Sequence, residues 1–210
     1  MPMIKIWGRK NSHNVQKVLW FCGEFGLEFD REDAGLEYGR TRDPDMLVRN
    51  PNAVIPTIED DGFVVWESNV ILRHLSRKYK AVNLYPEDIE LRTEVERWMD
   101  WQQTTLLSPM TTIFWGRARA PEKFSKTDID EAIEQANSMW TIVSNRLQGR
   151  KWLLGDNFSL SEVCIGALAW RWFSLVSEAE RASDQNLENW FVNLRARPAY
   201  NEHITSIPLT

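Results

Sequence analysis

Apolar and polar positions change period several times along the first eighty residues. Met3-Ile-Lys-Ile-Trp7 alternates, which sets successive side chains on opposite faces of a short strand. Residues 8–14 are polar and read as a loop. From Val15 the spacing lengthens: Val15, Val18, Leu19, Cys22 and Phe25 share one face of a helix that Gly26 stops. Residues 27–34 read as a second strand, and residues 35–52 as a loop with a short apolar piece at 46–48. Residues 56–59 and 63–66 flank Asp60-Asp61-Gly62, the pattern of a hairpin. Ser68 reads as the N-cap of a helix reaching Tyr79. This order describes a small α/β layer domain whose first two strands run parallel across a right-handed crossover.

Residues 80–90, with Asn83 and Pro86, lack periodicity, and every periodic stretch after them is helical. Val95, Trp98, Met99, Gln102 and Leu106 mark a long helix, kinked near Pro109 and ended by Pro121. Residues 127–147 mark a second helix, closed by Gly149. Ser159-Leu-Ser-Glu162 is a capping box heading residues 163–175, and residues 186–197 form a last helix stopped by Pro198. The expected architecture is an α/β domain over 1–80, a linker over 81–90 and an all-helical domain over 91–210.

Composition sharpens this picture. Hydrophobic residues make up 43% and charged residues 26%, the balance of a soluble globular protein. Residues 1–80 carry twelve basic and twelve acidic side chains, so the formal charge of −5 lies wholly in the remainder. With no basic block, neither nucleic acid nor an anionic membrane is an expected partner. No apolar run has membrane-spanning length and residues 1–14 lack the core of a signal peptide, so the expected address is the cytosol. Cys22 and Cys164 stand alone, which excludes a disulfide framework, a zinc site and a Cys-x-x-Cys redox pair. Eight of eleven tryptophans follow residue 80, where they either fill helix packing or line a pocket for flat apolar ligands.

Candidate chemistry narrows quickly. His13, His74 and His203 never stand at metal-ligand spacing, so no metal is expected and each reads as structural or solvated. Neither a G-x-G-x-x-G nor a P-loop is present, so no nucleotide cofactor is expected. Two loop-to-helix junctions remain. In Arg9-Lys-Asn-Ser-His-Asn14, Ser12 reads either as an N-cap or as a donor to an anion held at the helix start. In the second, Ile55-Pro56 enters a hairpin strand abruptly, as a cis proline would, with Glu67 and Ser68 nearby; alone, these read as a surface charge and an N-cap.

Five segments give these junctions a common context. Asn11-Ser-His-Asn-Val-Gln-Lys-Val18, Asn50-Pro-Asn-Ala-Val-Ile-Pro56, Trp66-Glu-Ser-Asn-Val-Ile-Leu72, Trp152-Leu-Leu-Gly-Asp-Asn-Phe-Ser-Leu-Ser161 and Arg195-Ala-Arg-Pro-Ala-Tyr200 stand in order along the chain. Together they resemble the signatures of cytosolic glutathione transferases, most closely the bacterial theta-like branch, over essentially the whole sequence.

The resemblance implies a thioredoxin-like N-terminal domain binding glutathione, an all-helical C-terminal domain with an electrophile pocket, and a homodimer. It implies glutathione S-transferase activity toward small hydrophobic electrophiles, including halide displacement. Glutathione-dependent peroxide reduction and a non-catalytic interaction module are the alternatives; glutaredoxin-like chemistry is disfavoured, because those relatives carry a cysteine where Ser12 stands. Carried over by position, Ser12 faces the glutathione sulfur, with Asn14 able to share that role. The backbone at Val54-Ile55-Pro56 pairs with the cysteinyl part, and Glu67 with Ser68 holds the γ-glutamyl end. Ala53-Val54 departs from the usual pair near the glycyl end, where Arg40 or Arg42 is the substitute. Asp100 and Gln102 reach toward the neighbouring subunit's glutathione. Trp7, Phe114, Trp115, Trp170 and Trp172 are candidate pocket walls, while Arg117 and Arg119 read as helix C-terminal caps in preference to stabilisers of a leaving anion. Glu162 replaces the usual capping-box aspartate and keeps its chemistry.

Overall fold

The computed structural model describes residues 3–182 and 184–210. Strands β1 (Ile4–Trp7), β2 (Phe29–Glu32), β3 (Thr57–Asp60) and β4 (Phe63–Trp66) form one sheet in the order β2-β1-β3-β4. β1 pairs parallel with β2, Ile4 opposite Phe29, and antiparallel with β3, Ile6 opposite Ile58. The β3–β4 hairpin turns through Asp61 and Gly62, both at positive φ (55° and 78°), the geometry that puts glycine in such turns.

Helix α1 (His13–Phe25) connects β1 to β2, and Gly26 closes it in the left-handed conformation at φ 69°. The sequence assigned it one apolar face, yet residues 15–22 are all buried, Gln16 and Lys17 included. The reason is a second covering layer from the helical domain. Phe25, placed on the apolar face, is by contrast partly exposed. Within the stretch read as loop, α2 (Pro44–Arg49) is helical and buries Met46 beside Trp7 and Ala34. Helix α3 (Ser68–Lys78) has Glu67 at its N-cap position, so Ser68 is the first helical residue and not the cap.

The helical domain opens with α4 (Ile89–Trp101) and α5 (Leu107–Phe114), joined by a wide π-type turn at Gln102–Leu106. The expected irregularity thus falls one turn before Pro109, where a proline removes an amide and crowds the carbonyl four residues back. A second wide turn, Trp115–Arg119, extends α5 nearly to Pro121. Helices α6 (Lys126–Leu147), α7 (Leu160–Leu175) and α8 (Gln185–Arg195) follow. Pro198 does not merely stop α8: it is the first residue of α9 (Pro198–Tyr200), a position where its missing N–H costs nothing.

Three contacts bind α1 to the helical domain. Lys17 Nζ, almost fully buried, donates to Asn69 Oδ1 at 2.9 Å and Gln102 Oε1 at 3.3 Å. Arg197 makes a two-armed ion pair with Glu24 at 2.8 and 2.6 Å while lying 3.7 Å over the Phe158 ring. Tyr200 sets its ring edge-on to Trp20 and donates its hydroxyl to the Gly166 carbonyl at 3.0 Å. A side chain at Gly166 would press on Trp20 at 3.0 Å, so this glycine allows α7 to approach.

The capping box of α7 is complete and buried. Glu162 accepts from the Ser159 amide at 2.9 Å, the Ser159 hydroxyl at 2.8 Å and the Leu153 amide at 2.6 Å. It therefore ties the preceding loop as well as the helix start. Glu162→Ala strands two buried amides and should cost about 2–6 kcal/mol, at roughly 1–3 kcal/mol per unpartnered donor. Urea unfolding checks this: a lower midpoint at unchanged slope is expected, with Glu162→Asp retaining part of the loss.

Candidate functional site

The loop after β1 runs alongside the end of β2, with the Gly8 amide donating to Glu32 O at 2.9 Å and the Arg9 amide to Ala34 O at 3.2 Å. A Cβ at Gly8 would lie 2.5 Å from Val15, so glycine is needed for the chain to turn back into α1. Ser12 occupies the N-cap position with extended backbone (φ −89°, ψ 121°), but its side chain makes no capping hydrogen bond. Its amide is engaged by Arg9 O and its carbonyl accepts from the Gln16 amide. The hydroxyl is left to face a cavity of about 440 Å³ at the seam of the two domains.

From the first domain the cavity takes Arg9, Ser12, His13 and Asn14, then Gly35, Leu36 and Thr41, and the Ala53-Val54-Ile55 segment. From the helical domain it takes Thr111, Phe114, Trp115, Arg119 and Arg171. Asn50 shapes the 53–55 segment: its Nδ2 donates to Val54 O and Thr57 Oγ1, both at 3.0 Å, and its Oδ1 accepts from the Asn52 amide. The Ile55–Pro56 bond is cis, and Ala53 has a positive φ of 54°.

Asn14 joins this cavity to the second junction, because Ser68 Oγ donates to Asn14 Oδ1 at 3.1 Å. Glu67 sits at φ 68°, in the left-handed region that a non-glycine residue rarely enters. It opens onto a second hollow of about 680 Å³, lined also by Phe63, Trp66, Val70 and His74. The structure thus gathers Ser12, Asn14, Val54, Ile55, Phe114 and Trp115 on one cavity, with Pro56 behind it and Ser68 at its edge.

Other expected site residues lie elsewhere. Trp7 is buried with Ala34 and Met46, under Arg49, because strand alternation puts it on the face of β1 opposite Ile4 and Ile6. Trp170 packs against the main core, and Trp172 stacks on Trp140 at 5.9 Å; one step along α7 is a 100° rotation, and it is Arg171 that meets the cavity. Gln102 is fully buried on Lys17 and cannot reach a neighbouring subunit, whereas Asp100 is exposed and paired with Arg73 at 2.6 Å. Arg40 turns to Glu32 at 2.6 Å instead of facing the cavity. Arg117 does cap, donating to the last carbonyl of α7, Leu175, and pairing with Glu180. Arg119 lies 4.5 Å over Phe114 and 5.3 Å over Trp115, as part of the cavity wall.

His13, Arg9 and Arg171 were not among the sequence-derived site residues. His13 was read as structural or solvated, yet it lines the cavity with a buried, unpartnered Nε2. Burial, followed by Arg171, Lys17, Arg9 and Arg119, holds its ring well below the usual histidine range, so it is neutral at pH 7. Arg171 had a visible signal: it is the only charge in the otherwise apolar stretch 163–175, and a lone buried charge is rare without a purpose. Both cysteines are inert by comparison, with burial pushing Cys22 up to about 12 and Cys164 up to about 11. Among the described residues no cluster of three or more His, Cys, Asp or Glu stands ready for a metal, and no helix is long and apolar enough to cross a membrane.

A family model described as the glutathione S-transferase N-terminal domain matches residues 2–77, and its C-terminal counterpart matches residues 106–198. The glutathione S-transferase GstB of Escherichia coli (strain K12) is 33% identical over 212 residues, covering 99% of this chain and all of the relative. Glutathione S-transferase 4 of Zea mays is 27% identical over 99% of this chain and 95% of its own. Among solved structures, the theta class glutathione S-transferase of the citrus canker pathogen Xanthomonas axonopodis pv. citri, with glutathione bound, superimposes with a TM-score of 0.93 at 34% identity over the full length of both chains. A thioredoxin-like domain followed by a helical one, matched on both parts by family models and along its whole length by a bacterial relative, makes this chain a member of the glutathione S-transferase family.

Proposed function

We propose that the protein conjugates glutathione to small hydrophobic electrophiles, with the Ser12 hydroxyl stabilising the glutathione thiolate as a hydrogen-bond donor. The observation that carries this reading is a serine in N-cap position that does not cap, its hydroxyl facing a cavity at the start of a thirteen-residue helix. A thiol of pKa ~8.5 is mostly protonated at neutral pH, and only the thiolate attacks. Lowering that pKa by two units takes about 2.7 kcal/mol, at ~1.36 kcal/mol per unit. A hydrogen bond to a charged acceptor supplies about 1.5–3 kcal/mol, and the helix dipole roughly 0.3–1 more. The two together suffice without a general base.

In this reading the Ile55 backbone pairs with the cysteinyl portion of glutathione. Glu67 and Ser68 take the γ-glutamyl amine and carboxylate, the latter against the free amides at the start of α3. The Ser68–Asn14 hydrogen bond holds the two ends in register and fixes the Asn14 amide beside Ser12. Ser12→Ala should raise the pH at which bound glutathione ionises by about one to two units, the hydrogen bond's ~1.5–3 kcal/mol divided by ~1.36. Ultraviolet absorbance of the bound thiolate reads this directly; an unchanged titration would transfer the role to Asn14.

The protein forms a homodimer in the same proposal, through the face around β4 and α3. Phe63 and Val70 are exposed there and Trp66 partly so, three large apolar side chains grouped around one hollow that a second copy would cover. Light scattering should give twice the chain mass for the native protein. Phe63→Glu should give the single-chain mass with an unchanged circular dichroism spectrum, and a dimer surviving that change would place the interface elsewhere.

A further inference from the structure

Three arginines, Arg9, Arg119 and Arg171, line the cavity. Arg171 is 5% exposed and Arg9 9% exposed, and the Nε of each is buried without a partner. Arg171 lies face-on to Phe114 at 3.7 Å and donates Nη2 to the Asn11 carbonyl at 3.2 Å. Arg119 lies 4.5 Å from the centre of the same ring and donates to the main-chain oxygen of Thr210. Among the described residues, none of the three makes an ion pair with an aspartate or glutamate side chain.

Such an arrangement is costly as it stands. Buried guanidinium groups are normally paired, and three like charges around one cavity repel. Burial, then repulsion from Arg119 and Arg9, brings Arg171 down to about 9, and burial also lowers Arg9 and Arg119. Glu37, the acidic group that acts on Arg9 and Arg119, is exposed. An anion entering the cavity removes the repulsion and meets donors in fork geometry, which suits a planar carboxylate. Phe114 and Trp115 supply an aromatic surface beside those donors.

We propose that the second substrate of this enzyme is an aromatic electrophile bearing a carboxylate, held by Arg9, Arg119 and Arg171 against the Phe114–Trp115 wall. The proposal rests on the conjugation reading and names its substrate class. The anion is assigned to the electrophile because Arg119 and Arg171 belong to the helical domain, whereas the glutathione contacts proposed above come from the first domain. For an aryl chloride the step is balanced. The thiolate sulfur bonds to the ring carbon bearing chlorine, the C–Cl bond breaks, and chloride leaves with the electron pair; the thiol proton has already gone to solvent.

The test compares 4-chloro-3-nitrobenzoate with its neutral isostere 4-chloro-3-nitrobenzamide, in the native protein and in Arg171→Met and Arg119→Gln. The ratio of kcat/KM for the acid to that for the amide should fall at least tenfold in each variant. Arg119 is only partly buried, so its variant keeps the test open if Arg171→Met does not fold. An unchanged ratio overturns the proposal. So does a loss shared equally by both electrophiles and expressed in the KM for glutathione, which would assign the arginines to a glutathione carboxylate. Ser12→Ala slows both electrophiles alike and leaves the ratio intact, so failure of the thiolate reading is told apart. Calorimetric binding of unreactive 3-nitrobenzoate, but not 3-nitrobenzamide, to the glutathione-loaded protein is expected even without turnover; equal binding of the two contradicts the proposal.

Discussion

Helix α1 is clamped between the sheet it belongs to and a helical domain it does not, and the site depends on that clamp. Lys17 from below, Arg197 on Glu24 and Tyr200 against Trp20 leave its axis little freedom. Its N-terminus is then held at the seam of the two domains, where Ser12 meets the cavity. Over residues 15–22 the helix is buried all round and has no solvent face to reorient, so the direction of its first amides is set by packing. Electrostatic stabilisation works best when its donors are fixed before the charge appears, and this helix start meets that requirement.

The same seam explains why two kinds of charge management coexist in one small protein. Lys17 is buried but given two side-chain acceptors, Asn69 and Gln102, and serves packing. Arg9 and Arg171 are buried to a similar degree, each with an unpartnered Nε, and line an open space. The first pattern belongs to a structural charge and the second to a charge awaiting a ligand. Their positive field also has the sign that favours an anion in the cavity that Ser12 lines.

Much of the fold was legible because local signals agreed with tertiary structure. The hairpin over Asp61-Gly62 and the capping box at Ser159 and Glu162 lie where the sequence put them, since each depends on a few adjacent residues. What escaped was decided by distant partners. Residues 15–22 show one apolar face in sequence, and the other is buried by α7, α9 and the turn after α9; α2 looked like loop until Met46 found Trp7 and Ala34. At the site, Ser12, Asn14, Val54, Ile55 and Ser68 could be named from motifs because backbone turns fix them. The aromatic walls could not: Phe114 and Trp115 line the cavity while Trp7 and Trp170 do not, a distinction of helix rotation and strand face. Arg171 carried a signal in its isolation among apolar neighbours, but its meaning depended on Arg9 and Arg119, which converge on it from other parts of the chain.

The central claim is that the hydroxyl left free at the start of α1 is reserved for sulfur. A crystal structure of the protein with glutathione tests it most directly. The glutathione sulfur is expected within about 3.5 Å of Ser12 Oγ, a reach slightly longer than an ordinary oxygen hydrogen bond. A sulfur held only by Asn14, with the Ser12 hydroxyl turned back to cap its own helix, would contradict it.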